Sequence, residues 1–144
     1  VAAVRALIER IKPHQIFVAD DTSDPYGTHL PAANAVLMAI ERLKDEPFMQ
    51  HCRVWLYRGQ WGQWGLDRVE MAVPMSPEEF AYKRDAILKH QSQLHEAPAA
   101  DDTGNRLSWQ RSIDRNKAMA DHYSALGLAS YEAIEAFVQY PLHK

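Results

Sequence analysis

An α/β fold built on an open, mainly parallel sheet with flanking helices is what this sequence predicts, and two patterns carry the prediction. Short apolar or alternating runs at 16–19, 53–57 and 69–73 read as strands, and amphipathic runs with helix-start signals lie around them. Val1, Val4, Leu7, Ile8 and Ile11 mark one face of a first helix. Pro13 ends it, and Ile16-Phe17-Val18-Ala19 follows as a short buried strand. After an Asp-rich loop, Thr28 is placed to cap a second helix with Pro31 in its first turn. Ala33, Val36, Leu37, Ile40 and Leu43 recur along it at helical spacing, and its end is expected near Asp45, before Pro47. Residues 53–57 form a second strand, 59–65 a Gly- and Trp-rich loop, and Val69, Met71 and Val73 alternate as in a third strand. These amount to three α/β steps.

Ser76-Pro77-Glu78-Glu79 is a capping box with Pro at the first helical position, and the helix it opens is expected to run to about Ser92. Phe80, Ile87 and Leu88 supply its apolar face. Residues 96–105 make the longest irregular stretch. A last long helix is marked by Trp109, Ile113, Asn116, Ala120 and Tyr123 and closed by Gly127. The tail 131–140 fits strand or helix, with strand favoured by its aromatic residues.

The 144 residues, 47% of them hydrophobic, suit one domain with one core. A formal charge of −3 with scattered Lys and Arg argues against a nucleic-acid surface. Small molecules or other protein chains are the expected partners. One cysteine, Cys52, excludes an intrachain disulfide and a Cys-rich zinc site, which reads as a reducing, cytoplasmic compartment. No run of about 18 apolar residues predicts a membrane span. The chain opens without Met or an N-cap, inside a helical pattern. That reads as a piece of a longer protein cut near a helix start, the alternative being a natural domain that has lost its initiator Met. The sheet edges and apolar helix faces left by such a cut predict self-association, a homo-oligomer.

Asp24-Pro25-Tyr26-Gly27-Thr28-His29 lies where strand-to-helix loops place functional groups. One histidine with no second ligand in reach cannot hold a metal. His29 therefore reads either as one ligand of a larger site or as a helix-start histidine satisfied by backbone groups.

Three separated pieces resemble one family: the 24–29 loop, the segment from Lys83 ending in His90-Gln91-Ser92-Gln93, and Glu135-Ala136-Phe137. In this order and spacing they are similar to the second half of the LmbE/PIG-L-type zinc deacetylases. Val54-Trp55-Leu56-Tyr57-Arg58-Gly59, the stretch Glu70-Met71-Ala72-Val73-Pro74-Met75-Ser76-Pro77 and Asp114-Arg115-Asn116 extend the likeness to nearly the whole chain. The closer resemblance is to the LmbE-like domain that some bacteria append to glucosamine-6-phosphate deaminase, also called isomerase.

The resemblance implies a partial Rossmann-like domain, residues 1–144 being its C-terminal portion. It implies a complete protein that hydrolyses an N-acetyl group from an amino-sugar or sugar-phosphate derivative. A zinc-bound water would be the nucleophile, because a catalytic zinc keeps an open position and lowers the pKa of its water toward ~7. His29 aligns with a zinc ligand of the family's His-x-x-His motif. Tyr26 stands at the catalytic histidine of that motif. A phenol cannot act as an imidazolium, so Tyr26 is either a hydrogen-bond donor to a developing oxyanion or a spacer in a site without catalysis. The family's His-Pro-Asp-Asp motif is absent; Ala19-Asp20-Asp21 has no histidine before its aspartates. The complete parent is thus expected to hold zinc and the fragment alone to hold none and be inactive. The alternative is a non-catalytic sugar-binding or oligomerisation domain.

His90 and Gln93 support the site from behind its ligands in the family. His90 at a helix end otherwise interacts with terminal carbonyls. Lys83 reads as a solvated helix residue and Glu135 as a water-facing strand-end carboxylate, although the family places the latter near the site. Trp61 and Trp64 suit either stacking on a sugar or packing, with packing favoured. His14, His51, His95, His122 and His143 have no metal-like spacing.

Overall fold

The computed structural model describes residues 1–20, 27, 29–59, 61–91 and 108–142. In chain order these form α1 (Ala2–Ile11), β1 (Gln15–Ala19), α2 (His29–Glu41), β2 (Arg53–Tyr57), β3 (Met71–Met75), α3 (Pro77–Leu88), α4 (Ser108–Ala125) and β4 (Ala133–Gln139). Two 3₁₀ turns, Pro47–His51 and Leu66–Arg68, join them. Among the described residues no helix is long and apolar enough to cross a membrane.

The local signals explain the helix ends. Lys12 turns into the left-handed region at φ 48° and its N–H bonds the Ile8 carbonyl, after which Pro13 cannot continue α1. The capping box forms as the sequence predicts: Glu79 N–H donates to Ser76 Oγ at 3.2 Å, and Ser76 N–H donates to Glu79 Oε2 at 2.8 Å. The Ser76 N–H holds the Glu79 carboxyl below its ordinary range. At the end of α4, Gly127 N–H bonds the Ser124 carbonyl and Leu128 N–H the Tyr123 carbonyl, the paired bonds of a Schellman cap. Gly127 adopts φ 83°, a conformation that glycine takes without steric cost. Two helices are shorter than predicted. α2 ends at Glu41, where tighter turns take over and still bury Leu43, and α3 ends at Leu88.

The sheet order is β1-β2-β4-β3. β1 pairs with β2 in parallel, from Gln15 opposite Arg53 to Ala19 opposite Tyr57. β4 runs antiparallel to both β2 and β3, with Phe137 opposite Tyr57 on one side and Met71 on the other. β1, β2 and β3 therefore share a direction, but the sheet is mixed rather than mainly parallel. The cause is the tail: β4 enters between β2 and β3 and runs against both, so β1–β2 is the parallel pair and the two pairings of β4 are antiparallel. The ambiguous tail becomes a strand because both of its edges find partners.

Side chains paired in register share a face. Ile16, Val18, Val54 and Leu56 pack with Val4 and Ile8 of α1 and with Ala33 and Ile40 of α2 in one core. Met119 and Ala120 of α4 pack with Ile134, Ala136 and Val138 in a second, and Leu56 touches both. Cys52 is buried in the first core, which pushes its thiol up.

Gly127→Ala is expected to lower stability by about 1 kcal/mol through the left-handed backbone alone, since nothing lies within 4 Å of an added Cβ. Urea unfolding should show this loss with an unchanged slope.

Candidate functional site

The parallel strands β1 and β2 both end at the same edge of the sheet, and functional groups gather there. His29 is the first residue of α2, so the β1-to-α2 connection delivers its imidazole to the carboxyl end of β1. Between them lies an open cleft of about 400 Å³, bounded by Ala19 and His29 and floored by Val18, Ala33 and Val36. The side chains that line it are apolar apart from the imidazole. Gly27, at φ 64°, makes the turn into the helix.

Arg58 follows β2 directly. Its Nη1 donates to the Asp20 carbonyl at 2.6 Å, tying the ends of β1 and β2 together. Its guanidinium lies 4.1 Å from the centre of the Trp64 ring, and that of Arg68 lies 5.4 Å away. Arg111 of α4 covers Trp61 at 4.4 Å. Trp64 is buried, so cation–π packing fixes the loop after β2, and this ring is not presented to a sugar.

A charged cluster occupies the neighbouring part of this edge. Glu135 stands two residues before Phe137 on β4, and Phe137 pairs with Tyr57, the last residue of β2. Lys83 of α3 donates to Glu135 Oε2 at 2.6 Å and to Asn116 Oδ1 at 2.7 Å. Arg115 Nη2 straddles the carboxylate, 2.7 Å from Oε1 and 2.9 Å from Oε2. Asn116, fully buried, donates to the Ile134 carbonyl at 2.9 Å and to Glu135 Oε2 at 3.1 Å. Burial by itself would raise the Glu135 carboxyl, but Arg115 and then Lys83 outweigh it and hold the group below its ordinary value.

This cluster corrects two expectations. Lys83 is not a solvated helix residue, and Glu135 does not face water; their side chains are 28% and 15% exposed. The periodicity of α3 could not reveal this, because the partners come from α4 and β4. Asn116 was legible only as a helical-face position. Its neighbour Arg115 carried no periodic signal, although both stand in the family-like Asp114-Arg115-Asn116 segment.

The structure brings His29 to a cleft. Among the described residues no group of three or more His, Cys, Asp or Glu is arranged to hold a metal ion. His90 is exposed at the end of α3, where its backbone N–H donates to the Ile87 carbonyl. Tyr26, Thr28, Gln93 and the 96–105 stretch lie outside the described residues.

No family model matches the chain. It is 54% identical over 144 residues to a glucosamine-6-phosphate deaminase-like protein of Bacteroides thetaiotaomicron, a match covering 97% of this chain and 21% of the relative. The chain thus spans about a fifth of the length of that relative.

Glu135→Ala is expected to cost about 3 kcal/mol, because it leaves two cations at a buried site without their carboxylate. In the intact chain the carboxylate binds its proton less tightly when folded than when unfolded. Its contribution is therefore complete above the ordinary glutamate value near ~4.3 and is lost as pH falls through the lower folded-state value. Urea unfolding followed from neutral pH into acid should show a shallower acid decline in the Glu135→Gln variant than in the native chain.

Proposed function

We propose that these residues are the C-terminal portion of an LmbE-like domain within a larger amino-sugar protein, and that the whole protein is a cytoplasmic zinc-dependent N-acetyl-sugar hydrolase. The observation that carries this reading is the position of His29. The residue that aligns with a family metal ligand stands at the mouth of a cleft, on the strand edge where ligands of α/β proteins bind. The strong similarity to a relative whose name refers to a deaminase of glucosamine 6-phosphate supports an amino-sugar phosphate as the substrate class.

The described residues alone do not fit the zinc ion. A catalytic zinc takes three protein ligands, and among the described residues no group of three or more such donors is arranged to hold one. In this reading the chain contributes a wall of the site. Ala19, Val18 and Val36 shape an apolar side of the cleft, Arg58 braces the two strand ends, and the Lys83–Glu135–Arg115 cluster fixes α3 and α4 against β4. The remaining donors come from elsewhere in the larger protein.

Tyr26 favours a second reading, a non-catalytic sugar-binding or subunit-holding domain, because imidazole acid–base chemistry is worth about 10²–10⁴ in rate. One set of measurements separates the two. In the hydrolase reading the whole protein holds zinc and releases acetate from N-acetylglucosamine derivatives, and His29→Ala loses both the metal and the activity. The 144-residue chain alone is expected to do neither. Zinc bound at one ion per 144-residue chain would overturn the shared-site assignment. A whole protein that binds the amino sugar without releasing acetate would establish the accessory reading.

A further inference from the structure

The sheet has two different edges. β3, at one end, contains Pro74, which lacks an N–H and blunts that edge. β1, at the other, reads Gln15-Ile16-Phe17-Val18-Ala19, with no charge, no proline and no bulge. The peptide groups of His14 and Asp20 turn toward β2, since Arg53 N–H donates to the His14 carbonyl and Asp20 N–H to the Tyr57 carbonyl. By alternation the peptide groups of Gln15, Phe17 and Ala19 point away from β2, along an edge that pairs with no strand among the described residues. Exposed apolar side chains also stand on β1 and on the two helices α1 and α2. Leu7 and Ile11 of α1 are 44% and 59% exposed, Phe17 of β1 49%, and Met38 of α2 49%.

Helix placement shows what belongs there. The connection β1-α2-β2 is a parallel crossover, and such crossovers are right-handed in nearly every case. Right-handedness assigns α2 to one particular face for a step from β1 to β2. α1 packs on that same face, because Ile8 and Val4 share one core with Ala33 and Ile40 of α2 and with Val18 and Val54 of the sheet. If α1 is also a crossover helix, its step runs in the same direction across the sheet, and the strand feeding it lies on the side of β1 away from β2.

We infer that the sheet continues past β1 with at least one further strand, parallel to β1, contributed by polypeptide of the larger protein outside these 144 residues. The inference rests on the reading of the chain as part of a larger protein, and the relative, with about four-fifths of its length outside the match, has ample chain for it. The added strand accepts from and donates to the outward peptide groups of Gln15, Phe17 and Ala19, while its neighbouring helices cover Leu7, Ile11 and Met38. Its carboxyl end lies beside the cleft that holds His29.

Hydrogen–deuterium exchange tests this on the 144-residue chain and on the whole protein. The Gln15, Phe17 and Ala19 amides should exchange fast in the former and as slowly as the central β2 amides in the latter. Gln15→Pro, which removes one outward N–H, should lower the melting temperature of the whole protein and leave that of the 144-residue chain nearly unchanged. Equal fast exchange in both forms overturns the inference. So does slow exchange in a 144-residue chain that light scattering shows to be a dimer, since a second copy would then occupy the edge. Zinc content and acetate release are read separately, so a protected β1 edge in a protein without hydrolase activity would uphold the added strand while removing the enzymatic reading.

Discussion

The carboxylate of Glu135 is the interaction on which the second half of the molecule depends. It draws Lys83 from α3 and Arg115 from α4 into a mostly buried space, and Asn116 adds a hydrogen bond to the same Oε2 that Lys83 and Arg115 reach. Burying two cations is unfavourable unless a carboxylate meets them in good geometry. The arrangement therefore admits one relative placement of α3, α4 and β4. That placement puts Met119 and Ala120 over Ile134 and Ala136 and leaves β4 where it can pair on both edges.

The first half is organised differently. Its two helices pack on one face of two parallel strands, and its core is apolar throughout, from Ile8 to Val54. Here local pattern and tertiary packing agree, because a helix with one apolar stripe and a strand with alternating side chains need only meet. The join between the halves is made by Leu56, by β4 against β2, and by Arg58, which links the ends of β1 and β2 while lying on Trp64. The cleft beside His29 opens at this rigid edge.

Legibility differed from element to element for physical reasons. α1, β2, the capping box of α3 and the Gly127 cap of α4 are set by residues within a few positions of one another, and they stand where the sequence places them. The mixed character of the sheet was not legible. Alternation in 133–139 is equally compatible with either direction, and the antiparallel one is seen only in the pairing of β4 with β2 and β3. His29 was singled out by its loop position and its family-like motif. The burial of Lys83 and Glu135 was missed because they lie 52 positions apart in sequence and meet only after folding.

What the sequence determined by itself was therefore the set of elements and the caps of α3 and α4. Each of these rests on short-range chemistry: hydrogen bonds at helix ends, steric limits at Pro and Gly, and the periods of side-chain exposure. The tertiary structure alone decided the strand order, the charged cluster that locks α3 and α4 to β4, and the place of β1 at the end of the described sheet. Those features depend on which distant surfaces meet, and no local period encodes that choice.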